Sequence, residues 1–145
     1  MKQPKEKFLV GIDPDVDKSG VAFLNGNQLK LDNLAFFQLF DYFKELKELH
    51  PDLEVYVELG SLNKSNWHSK TDKSSKWNSN IGAALGRNFE TANKIVEMCE
   101  YLKITHHKIQ PKKSKITNDY FKKLTGYDGR TNQEQRDAFM LIFGR

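Results

Sequence analysis

The chain has 145 residues and one cysteine, Cys99. A lone thiol cannot close an internal disulfide or build a cysteine zinc cluster. It lies in "ANKIVEMCEYL", a helical apolar stripe, which predicts a buried structural thiol rather than a nucleophile. Long apolar runs are also missing. No stretch approaches the roughly 20 residues of a membrane span, and "MKQPKEKF" has no signal-peptide core. These absences predict a protein of the reducing cytoplasm with no membrane partner. Histidine is sparse and poorly arranged for metal. His106 and His107 are adjacent on a predicted strand, so they face opposite ways and read as packing residues. His50 precedes Pro51 at a helix end, and His68 falls in a polar stretch. The length suits a single α/β domain over 1–145 and is too short for two. Internal repeats and a credible linker are both lacking.

Charge is present, but unevenly. Residues 103–130 carry eight Lys/Arg against Asp119 and Asp128, a net of +6. Residues 61–80 carry four Lys against Asp72, a net of +3, while the whole chain is only +4. Two basic segments beside an acidic remainder point to a polyanionic partner, although lysines also serve simply to solubilise a surface.

Residues 7–13 and 19–25 read as strands separated by the turn "PDVDK". A third strand near 28–32 follows the turn signal Asn25-Gly26-Asn27. Residues 34–49 place Phe36, Leu39, Phe40, Phe43 and Leu46 on one helical face, and Pro51 stops that helix. A fourth strand spans 53–59. Residues 60–80 are rich in Ser, Asn and Lys, with Trp67 and Trp77, and read as a long polar loop. Helical periodicity resumes near Asn80. "KITHHKI" is a short strand, a basic helix is predicted over 113–124, and a final helix from Asn132 to the C-terminus. The expected fold is an α/β mixed sheet of five strands, three antiparallel and the rest parallel, covered by helices on both faces.

Four carboxylates stand out on three separate segments. Asp13 directly follows the apolar strand "FLVGI", and a buried unpaired charge costs several kcal/mol. It wants a partner or a metal, though an Asp before Pro14 also fits a turn, the reading favoured for Asp15 and Asp17. Glu58 ends "EVYVE" at the carboxyl end of a strand, the edge where open α/β sheets place ligands; a surface Glu is the alternative. Glu134 and Asp137 are three apart on the last helix and share a face with Leu141. Helix-start acid bias fits Glu134 well and fits Asp137 less well, because Asp137 lies beyond the first turn. Acids at strand ends beside an acidic helix face are the parts needed to hold divalent ions for phosphodiester chemistry.

"GIDPDVDKSGVAFL", "VYVE", "GAALGRNFETANKIV", "QPKKSK" and "EQRDAFMLI" together resemble the RuvC-type Holliday junction resolvases of the RNase H-like superfamily, in order and spacing across nearly the whole chain. The resemblance matches Gly20 to the glycine of the family's second strand, Glu58 to its second acid, and Glu134 with Asp137-Ala138 to its final acidic pair. It departs from the family at Asp15, in place of Gly, and at Glu134, in place of Asp. The loop after Glu58 is longer and the last helix short, as in compact phage or mobile-element versions.

What the resemblance implies is a crossover junction endodeoxyribonuclease. Asp13, Glu58, Glu134 and Asp137 would hold two Mg²⁺ ions, with Mn²⁺ able to substitute, to activate water and stabilise the leaving 3′ oxygen. Branched DNA would be the partner and a C2 homodimer the assembly, with "LGR" at 85–87 on the interface helix. Lys112 matches a basic residue near the family's active site. The basic segments make Lys112, Lys113, Lys115 and Lys64 candidate phosphate contacts, and Trp67 a stacking platform for an unpaired base. Three rivals differ in what they need. An actin-like or sugar-kinase-like ATPase shares "GID" but needs a second phosphate loop and far more chain. A nuclease of RNA–DNA hybrids shares the acids. An inactive junction-binding protein has no use for all four.

Overall fold

The structure is a computed structural model that describes residues 7–60, 75–112 and 114–145. The element order is β1 (Phe8–Asp13), β2 (Ser19–Asn25), β3 (Gln28–Leu34), α1 (Phe36–Leu49), β4 (Glu54–Glu58), α2 (Ser75–Tyr101), β5 (Thr105–Ile109), α3 (Asn118–Thr125) and α4 (Gln133–Met140). The strands form one five-stranded sheet in the order β3-β2-β1-β4-β5. β1, β2 and β3 pair antiparallel, and β4 joins β1 and β5 in parallel. This is the predicted mixed sheet.

The two-residue period of the strands sorts the core into two layers. Val10, Ile12, Val21, Val55 and Val57 face α1 and α2, where they meet Leu39, Phe43, Ile95 and Cys99. Leu9, Ala22 and Tyr56 face the other way, onto Phe121, Ala138, Phe139 and Ile142 of α3, α4 and the turn after it. Cys99 is fully buried, and burial pushes its thiol up to about 12, so it is the structural thiol its setting predicted. His50 caps the end of α1 and stacks on Phe8 at 3.5 Å between ring centroids. His107 stacks on Tyr56 at 4.5 Å, and His106 bonds the Ile104 carbonyl through Nδ1. Both histidines therefore pack, as their strand position implied.

Several boundaries differ from the sequence reading. β3 extends to Leu34, so α1 begins at Phe36, where the Gln38 side chain accepts from the Ala35 N–H at 2.9 Å. α2 begins at Ser75, inside the stretch read as loop, because its first turn carries no apolar stripe for periodicity to detect. α3 begins at Asn118 rather than 113. Thr117 caps it by accepting from the Tyr120 N–H, while residues 114–116 reach back toward α4 instead of coiling. α4 stops at Met140. Leu141 and Ile142 donate to carbonyls three residues back, tightening the chain into turns before Gly144 at φ 78°. Among the described residues no helix is long and apolar enough to cross a membrane.

Candidate active site

Strand register brings the first two acids together. In the parallel β1–β4 pair Leu9 stands opposite Glu54, Gly11 opposite Tyr56 and Ile12 opposite Val57. One step further places Asp13 beside Glu58. Leu9, Gly11 and Asp13 alternate onto the face that carries α4, as do Glu54, Tyr56 and Glu58 on β4. Both carboxylates thus sit at the carboxyl ends of adjacent central strands, on the same side of the sheet.

Two glycines let α4 approach. A Cβ on Gly11 would overlap the Ala138 carbonyl, and one on Gly20 would overlap the Glu134 backbone. Gly20 is the antiparallel partner of Asp13. The helix backbone therefore lies against bare strand backbone next to Asp13, and α4 carries Glu134 and Asp137 to the same edge. Its N-terminus is anchored by a capping box. Asn132 accepts from the Gln135 N–H at 2.9 Å, and Asn132 Nδ2 and Gln135 Nε2 both donate to Asn33 Oδ1 of β3, at 2.6 and 2.8 Å.

The electrostatics record the convergence. Burial pushes the Asp13 carboxyl up to about 8, reinforced by the charges of Glu58, Asp137 and Glu134 and opposed by Lys115. Burial also raises Glu58, with Lys115 opposing and Asp137 adding. All four predicted acids are thus in one neighbourhood. Asp137 is already engaged: Lys115 Nζ lies 2.6 Å from its Oδ2, and Gln133 Nε2 donates to its Oδ1 at 2.8 Å. Among the described residues no three His, Cys, Asp or Glu side chains stand close enough to share one ion in this arrangement. The donor set itself is what a hard divalent cation takes, carboxylate oxygen from several elements. Like charges forced together in a half-buried site are relieved by such a cation. Asp15 and Asp17 stay out of the cluster. The Asp15 side chain accepts from the Asp17 N–H at 2.9 Å, the turn role expected of it.

Lys112 and Lys115 line the cleft over Glu58 and Asp137, with Ser114, Met140 and Leu141. Lys113, Lys64 and Trp67 lie outside the described residues.

Sequence reasoning missed Arg136. Its guanidinium donates to the Ile116 carbonyl (2.9 Å), the Thr131 carbonyl (3.0 Å) and hydroxyl (2.9 Å), and Gln133 Oε1 (3.0 Å). It clamps the 114–117 segment, which carries Lys115, onto α4, and orients the Gln133 that holds Asp137. The charge in "QRD" was visible; its inward direction depends on α3 starting late. Arg136→Ala is expected to lower stability by about 1.5–3 kcal/mol, the scale of hydrogen bonds to a charged group. Arg136→Lys should recover little, because an ammonium cannot span the fork's four acceptors. Urea unfolding of both variants measures this.

No protein-family model matches the chain, and no curated protein matches it. Solved structures do. RuvC of T. thermophilus in complex with Holliday junction substrate is 12% identical, with a TM-score of 0.51 over 93% of this chain and 89% of that one. Fowlpox virus resolvase in complex with substrate Holliday junction DNA is 14% identical over 81% of this chain and 69% of that one, with a TM-score of 0.36. At such identities the likeness speaks for the fold alone: this chain has the RNase H-like fold of the RuvC structure.

Proposed function

We propose that this protein is a metal-dependent endonuclease that resolves four-way DNA junctions, acting as a single nuclease domain over 1–145. The observation that carries the reading is the convergence of Asp13 and Glu58 with the acids of α4 at one half-buried edge, where burial first and then the neighbouring carboxylates raise the Asp13 carboxyl to about 8. Carboxylates are gathered against their own repulsion at the strand edge favoured for ligand sites. The fold supports the reading, since the similar RuvC structure holds a Holliday junction.

Asp13, Glu58, Glu134 and Asp137 would hold Mg²⁺, two ions, with Mn²⁺ as substitute. When bound, such ions supply positive charge that polarises a phosphodiester and acidifies water. This chain's residues do the rest. Gln133 fixes one oxygen of Asp137 through the hydrogen bond at 2.8 Å. Lys112, at the cleft, and Lys113, next in sequence, would hold the DNA backbone. Lys64 would add a phosphate contact, and Trp67 a face for an unpaired base. Paired nicks across a junction need two active sites, so a C2 homodimer completes the proposal.

The deciding experiment is incubation with a labelled mobile four-way junction and Mg²⁺, beside linear duplex and RNA–DNA hybrid. Paired nicks at the branch point are expected. Cleavage of the hybrid with the junction left intact would sink the assignment. The basic segment has its own test. Replacing Lys112 and Lys113 by Ala should weaken binding to every DNA form and flatten the log–log salt slope by about 0.9 for each phosphate no longer neutralised. An unchanged slope assigns these lysines to solubility.

A further inference from the structure

Lys115 does more in this site than add positive charge to a DNA-binding face. Its side chain is half exposed, while that of Asp137 is only 11% exposed. It reaches inward from solvent to place Nζ 2.6 Å from Oδ2. That is a short, charge-assisted contact, the strong kind of hydrogen bond. The other oxygen of Asp137 accepts from Gln133, so both carboxylate oxygens are engaged and Lys115 holds Oδ2 away from an ion shared with Asp13 and Glu58. In this arrangement no three acids are set for a cation among the described residues.

We propose that Lys115 is a built-in counter-ion that stands in for a divalent cation at Asp137 and must leave Oδ2 before the ion can bind there. The inference rests on the carboxylates being the metal site.

The geometry suits such an exchange. Lysine is a compact point charge on a flexible stem, able to leave without disturbing the backbone. The backbone beside it is pinned, since the Ile116 carbonyl accepts from Arg136 Nε at 2.9 Å. Withdrawal is therefore a side-chain swing that keeps the ammonium at the cleft, beside Lys112 and Ser114. While it remains in place it offsets the repulsion among Asp13, Glu58 and Asp137, which lets the acids stay gathered without an ion. The same contact must be given up on loading, so it lowers the protein's affinity for the cation.

Ca²⁺ alone, without DNA, tests this by calorimetric titration and by melting. Lys115→Met should bind Ca²⁺ about tenfold or more tightly than the natural protein, the equivalent of one charge-assisted hydrogen bond no longer broken. Its metal-free Tm should fall and its gain in Tm on adding Ca²⁺ should be larger. Lys115→Gln, still polar and at a half-exposed position, should show the same signs if the Met variant folds poorly. Lys115→Arg, which keeps the charge, should stay near natural affinity. A merely structural lysine would lower Tm without tightening the ion. Unchanged or weaker Ca²⁺ binding in Lys115→Met and Lys115→Gln, with the natural protein still binding, overturns the counter-ion role and leaves the metal site standing. Absence of Ca²⁺ binding in all the proteins overturns both.

Discussion

Asp13→Asn should lower junction cleavage by at least about 10³-fold, the scale seen when one member of a catalytic unit is removed. Junction binding measured in Ca²⁺ should stay nearly intact, because the substitution leaves in place the basic residues that would hold the DNA backbone. Glu58→Gln and Asp137→Asn should behave alike in the cleavage assay. The same substitution is expected to stabilise the metal-free protein. Asp13 ordinarily titrates near 3.8 but is held at about 8 in the fold, chiefly by burial and then by Glu58 and Asp137. Between those two values the folded state keeps a proton that the unfolded chain has lost. Stability therefore declines as pH rises from about 4 to 8, by at most about 1.4 kcal/mol per pH unit from this group, and levels off above it. Asn carries no such charge. The Tm of Asp13→Asn should thus exceed that of the natural protein by a margin that grows across that window and then holds. Saturating divalent metal should shrink or reverse the margin, since only the natural protein gains from the ion. Substantial cleavage by Asp13→Asn would refute the assignment of the site. A margin independent of pH would show that the Asp13 carboxyl is not raised in the fold.

Much of this arrangement was legible in the sequence because it rests on short-range periodicity. Alternation in "FLVGID" and "EVYVE" placed Asp13 and Glu58 at strand ends, and the three-residue spacing put Glu134 and Asp137 on one helical face. The topology followed from turn signals at Asp15–Lys18 and Gly26, the latter at φ 58°. What stayed hidden depends on partners distant in sequence. Arg136 lies between two acids on a polar helix turn, and only the fold shows it reaching Ile116, twenty residues away. Lys115 read as one of several equivalent basic residues, yet it pairs with Asp137 across twenty-two residues. The start of α3 was misread for the same cause. Local propensity over 114–117 was overridden by tertiary bonds to α4, Arg136 to the Ile116 carbonyl and Lys115 to Asp137, which hold that segment against α4. The glycines fall between these cases: Gly20 was singled out by resemblance, whereas the role of Gly11 appears only once α4 is seen lying on it.

Gly20→Ala is the second substitution with a large expected effect, and it replaces none of the four acids. The added Cβ would meet the Glu134 carbonyl and its Cβ, and backbone cannot step aside as a flexible side chain could. Either α4 lifts from β2 or β2 bends away, and both shift the helix that carries Glu134 and Asp137 relative to Asp13. Overpacking of this kind costs about 1–3 kcal/mol in stability. The catalytic loss should be greater than that figure implies, because displacement of reacting groups by an ångström can cost about 10²-fold in rate. Gly11→Ala should act similarly through the Ala138 carbonyl, further from the acids, with the larger share of its damage in Tm. Measured well below Tm, where both variants are fully folded, cleavage by Gly20→Ala should fall about 100-fold while affinity for the junction in Ca²⁺ stays within a few-fold of natural. Close approach of α4 to the sheet would then be the feature that sets the acids in place. Natural cleavage rates in a folded Gly20→Ala protein would instead show that the site tolerates a displaced α4, and the positioning argument would fail with it.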